Sequence, residues 1–67
     1  MSNNFHRAEL VLVEFLTHNP PMQEDQIARL RKVKNEFLKT IEEQNKEFTD
    51  AEMRTVIRTE YEVMLED

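Results

Sequence analysis

Arg29, Arg31, Lys32 and Lys34 put four cations within six residues. On one helix they could form a phosphate-binding face, because Lys and Arg neutralising backbone phosphates supply most of the affinity for nucleic acids. The formal net charge of -5 argues against a general affinity of that kind. The chain also carries a nearer partner for the cluster. If it folds back near Phe48, positions whose numbers add to about 96 lie opposite one another in the two arms. The cluster then faces Glu60, Glu62, Glu66 and Asp67. Residues 48–67 hold six acids against two bases, whereas residues 22–47 hold six of each. The expectation is a basic stretch neutralised by its own chain. The same acidic end could mimic a nucleic acid, but its charges are few and not in runs, as in a solvated helix end.

Other reactive groups are sparse. His6 and His18 are the only imidazoles. On one helix they stand about 18 Å apart, too far to share a metal within the chain. His18 suits a helix C-terminus, where a cation meets the negative end of the dipole. There is no cysteine for a thiolate and no glycine for a nucleophile elbow or a phosphate loop. The carboxylate pairs Glu42 with Glu43 and Glu60 with Glu62 come without signs of a pocket, which a chain of 67 residues rarely encloses. No catalytic residue, metal site or cofactor is expected, and the protein is read as non-enzymatic.

The elements that position these residues turn on Phe48-Thr49-Asp50-Ala51-Glu52-Met53. Thr49 is placed as an N-cap with Glu52 completing a capping box, and Phe48 and Met53 form the hydrophobic staple around it. This stretch separates two amphipathic patterns. From about 22 to 46, Ile27, Leu30, Val33, Phe37, Leu38 and Ile41 step by three and four, and from about 50 to 65 so do Met53, Val56, Ile57, Tyr61, Met64 and Leu65. Asp25 with Arg29, Glu42 with Lys46 and Asp50 with Arg54 are spaced for i,i+4 pairs along the helices.

Ahead of them, residues 4–18 carry apolar side chains on more than one face. A helix buried by the other two or by a partner chain is the first reading, with a strand through Leu10–Val13 as the alternative. Ser2, Asn3 or Asn4 could cap it. Asn19-Pro20-Pro21 ends it: a residue before proline leaves the α region, Asn tolerates a left-handed C-cap, and Pro21 can open the next helix.

With no glycine and only two prolines, the composition fits an all-α domain. A chain this short buries only about 60% of its unfolded surface. Without disulfides or an evident metal, helix packing and oligomerisation are the routes to stability. The expected architecture is one domain over residues 1–67: a short N-terminal helix and a long antiparallel helical hairpin, dimerising into a helical bundle. Neither a membrane-length apolar run nor a signal-peptide pattern is present, so a cytoplasmic protein is expected. The segments LRKV at 30–33, FLKTI at 37–41 and NKEFTDAEM at 45–53 resemble, with gaps, the middle of the Hha/Cnu-type partners of nucleoid proteins. That family's aromatic C-terminal segment is missing here, and no family is assigned from the sequence.

The function expected is a small protein-protein interaction module, a bacterial or phage regulator, inhibitor or adaptor acting through an apolar helix face. Candidate partner-binding residues are Phe5, Leu12, Phe15 and Leu16 on the first helix, Arg29, Arg31, Lys32 and Lys34 on the second, and Tyr61 on the third. The partner is another protein, together with a second copy of the chain. Two alternatives stand beside this: a nucleic-acid-associated regulator using the cluster at 29–34, and a structural assembly or scaffold component.

Overall fold

The computed structural model describes residues 3–19 and 23–66. They form three helices, α1 (Asn4–His18), α2 (Glu24–Glu43) and α3 (Asp50–Glu66), each packed against both others. No strand occurs among the described residues, so Leu10–Val13 is helix rather than strand. Helix-favouring Ala8, Glu9, Glu14 and Leu16 around the apolar run tip that balance.

The ends of the helices follow from side-chain and backbone capping. At α3 the Thr49 N–H donates to Glu52 Oε1 at 3.0 Å and the Glu52 N–H to Thr49 Oγ1 at 3.1 Å, the reciprocal box expected from the sequence. Phe48 and Met53, on either side of it, are both buried. Helix α2 starts in a related way, with the Gln23 N–H donating to Gln26 Oε1 at 3.1 Å. Its C-terminus falls three residues short of the expected Lys46. Asn45 takes a left-handed φ of 54°, its N–H donates to the Glu42 carbonyl at 3.1 Å, and the Lys46 N–H reaches the Ile41 carbonyl at 3.0 Å. These paired bonds are the Schellman stop, with asparagine in the place glycine usually takes. At the end of α1 the expected left-handed cap is absent. Asn19 is extended (φ -117°, ψ 159°), as a residue before proline should be, and its side-chain amide donates to the Phe15 carbonyl. Asn3 is the N-cap of α1, without a side-chain capping bond. The expectations for Ser2, Pro20, Pro21, Met22 and Asp67 lie outside the described residues.

The core is one cluster fed by all three helices and the link between α2 and α3. Ala8, Val11, Leu12 and Phe15 come from α1, Leu30, Leu38 and Ile41 from α2, Phe48 from the link, and Met53 and Ile57 from α3. Leu12, Leu30, Met53 and Ile57 lose all contact with solvent, and complete burial of such a side chain stabilises by about 1.5–3 kcal/mol. Aromatic edges join the helices: Phe15 meets Tyr61 at 5.3 Å between ring centroids, and Phe37 meets Phe48 at 6.3 Å. Leu65, expected in the buried stripe of α3, is instead 66% exposed. It lies in the last turn of α3.

Ion pairs run between helices rather than along them. Arg7 reaches Asp50 at 3.3 Å, Arg31 and Lys34 reach Glu9 at 2.9 and 2.6 Å, Arg54 reaches Glu14 at 3.8 Å, and Arg29 pairs with Glu60. Among the described residues the i,i+4 pairs expected for Asp25, Glu42 and Asp50 are not formed. Asp50 instead reaches back to α1. Arg7 makes the broadest of these contacts, since its guanidinium also donates to the Phe48 carbonyl at 3.0 Å and lies 4.7 Å from the centre of the Phe48 ring. One side chain thus fastens α1 to the turn that starts α3.

Candidate interaction surface

The basic stretch of α2 is largely consumed inside the chain. Arg29 pairs with Glu60 on α3, one of the acids expected beside the cluster, although the two numbers add to 89 rather than to about 96. Arg31 and Lys34 do not meet the acidic end of α3; both converge on Glu9 of α1. The reason is helical phase. Lys34 falls in line with Leu30, Leu38 and Ile41 on the buried face of α2, where its side chain is fully enclosed against α1. Its ammonium donates to Glu9 Oε1 and sits 4.6 Å from the centroid of the Phe5 ring. A buried charge is tolerable only when paired and hydrogen-bonded. The Lys34 hydrogen bond, with the charges of Lys34 and Arg31, lowers the Glu9 carboxyl below its ordinary value near 4.5 against the opposing effect of partial burial. Lys32 alone of the four stays exposed without an ion pair among the described residues.

The remaining candidates divide by face. Leu12 and Phe15 belong to the core, so with Lys34 they leave the set of surface residues. Leu16 and Tyr61 are half-buried, and Tyr61 is tied to Phe15. Phe5 is 59% exposed. Two residues missing from the expected set join it: Leu10 and Val13, at 54% and 49% exposure, stand on the side of α1 opposite the core. Their signal was legible in the spacing. His6, Leu10, Val13 and Thr17 step by four, three and four, a second stripe out of phase with Ala8, Val11, Leu12 and Phe15.

Between α1 and α3 lies a cleft of about 510 Å³ lined by residues that include Glu14, His18, Arg54, Arg58, Tyr61 and Glu62. Its two arginines face two glutamates, and the Arg54–Glu14 contact is already part of the helix packing. The cleft offers no net charge to a ligand. No helix among the described residues is long and apolar enough to cross a membrane. No family model, curated protein or solved structure matches this chain.

Proposed function

We propose that the protein is a non-enzymatic protein-protein interaction module whose contact surface is the outer face of α1. The observation that carries this reading is the exposure of Leu10 and Val13 on the face of α1 opposite the one used by the core. Leu10 and Val13 stand at i and i+3, two of the positions that helix-in-groove recognition uses as anchors. The scaffold behind it is a long antiparallel hairpin of α2 and α3, a reading supported by the pairing of Arg29 early in α2 with Glu60 late in α3. The module is of the regulator, inhibitor or adaptor type expected of bacteria and phages, acts in the cytoplasm, and self-associates into a larger helical bundle.

A nucleic-acid role for residues 29–34 draws less support, since Arg29, Arg31 and Lys34 already meet carboxylates at home. Affinity capture from the native host with the wild-type chain and with L10K/V13K tests the proposal. A protein held by the first and lost from the second is the expected result. Equal retention by both would remove α1 as the contact surface.

A further inference from the structure

The geometry points to the cleft between α1 and α3 as a binding site for a small zwitterion, an α-amino acid with an aromatic side chain. This goes beyond the protein-interaction reading and stands apart from it, since neither Leu10 nor Val13 lines the cleft. Its volume of about 510 Å³ falls within the range of about 300–1,000 Å³ usual for small-molecule sites. What carries the inference is which of the lining charges are already used. Arg54 and Glu14 meet at 3.8 Å, while Arg58 and Glu62 take part in no ion pair or side-chain hydrogen bond among the described residues. Arg7, Arg29, Arg31 and Arg54 are each paired with a carboxylate, which leaves Arg58 as the arginine without one.

Arg58 and Glu62 stand four residues apart on α3, a spacing that puts their Cβ atoms about 5–6 Å from each other. A cation ahead of an anion is the weaker order for a pair at this spacing, so the two do not close on each other. Opposite charges one turn apart complement a molecule that carries both charges on one carbon. Its carboxylate accepts two parallel hydrogen bonds from the Arg58 guanidinium, and its ammonium donates to the Glu62 carboxylate. A simple anion would meet Glu14 and Glu62 in the same cleft, and a simple cation would meet Arg54 and Arg58. The side chain of the ligand has a place of its own. Tyr61 is half-buried, braced edge-on by Phe15 at 5.3 Å, and both rings line the cleft. A third ring packed edge-on or offset against such a pair is favoured beyond the area it covers. Because Arg58 and Glu62 are exposed to solvent, the affinity is modest, with a Kd of about 1 mM.

Amide chemical shifts of the full chain, titrated with L-phenylalanine to about 20 mM, test the site. Saturable shifts centred on residues 54–62 and on His18 are expected. Phenylacetate, which lacks the ammonium, phenethylamine, which lacks the carboxylate, and glycine, which lacks the ring, should each bind about tenfold more weakly or worse. R58Q and E62Q should each weaken L-phenylalanine binding about tenfold with an unchanged helical circular dichroism spectrum, because both sites are exposed. R58Q should leave phenethylamine binding as it was, and E62Q that of phenylacetate. No saturable shift, equal binding of L-phenylalanine and its three truncated analogues, or indifference to both variants would each overturn the inference. L10K/V13K should bind L-phenylalanine as the wild type does, so this outcome is independent of whether that variant loses a captured protein; loss of L-phenylalanine binding in L10K/V13K would place the ligand outside the cleft and overturn the inference.

Discussion

Helix α1 carries two apolar stripes that differ little in residue type and entirely in fate. Ala8, Val11, Leu12 and Phe15 are sealed against α2 and α3, while Leu10 and Val13, one or two residues away, are about half exposed. What separates them is phase around the helix and the polar contacts that fix it. Arg7 ties α1 to Phe48 and Asp50, Glu9 ties it to Arg31 and Lys34, and Glu14 reaches Arg54. Each tie comes from the border between the two stripes, so together they select which one turns inward. Hydrophobicity makes α1 stick; the charges at its edges decide how it sits.

The contrast between the stripes should be largest in stability. Leu12→Ala removes a fully buried side chain and should cost about 2–5 kcal/mol in urea denaturation, whereas Leu10→Ala should change stability by no more than about 0.5 kcal/mol. Equal losses would erase the distinction between the two stripes. Next comes the edge that sets the phase. Glu9→Gln leaves the Lys34 ammonium buried without its counter-charge and should cost roughly 3 kcal/mol, the low end for such pairs because Glu9 is 26% exposed. Lys34→Met removes both the charge and the need for a partner, and should be close to neutral. Adding it to Glu9→Gln should recover most of the loss, a coupling that a double-mutant cycle measures directly.

The same pair gives a pH signature. The Glu9 carboxyl is lowered in the folded state, so its stabilising contribution is complete above its ordinary value near 4.5 and disappears as the pH falls through the lower folded value. Stability measured from neutrality downwards should therefore fall in the acid range, and by less in Glu9→Gln/Lys34→Met. An identical acid loss in that double variant would assign the titration to other carboxylates. Smallest is Thr49→Ala, which should cost about 1 kcal/mol through loss of the cap on α3, with no effect on association through α1.

Local signals read well from the sequence. The capping box at Thr49 and Glu52 is stated by six consecutive residues, and Glu60, the partner of Arg29, is among the acids expected beside the basic cluster. The stop at Asn45 was hidden because periodicity continues to Lys46 while the turn depends on a single left-handed asparagine. Lys34 stood in plain sight in the middle of the α2 stripe, but its positive charge grouped it with its neighbours rather than with Leu30 and Leu38. Glu9 as its partner could not be read from periodicity. Nothing in the spacing of α2 says which helix will cover it, and the placement of α1 is set by contacts up to 43 residues apart in sequence.

Helix α1 buries one stripe and leaves the other in solvent. Thiol labelling of L10C and L12C under native conditions, at low micromolar concentration, tests it most directly. L10C should react as fast as an unfolded peptide, and L12C about a hundredfold more slowly, since its thiol is reached only when the domain opens. Matching rates for the two sites would contradict the account.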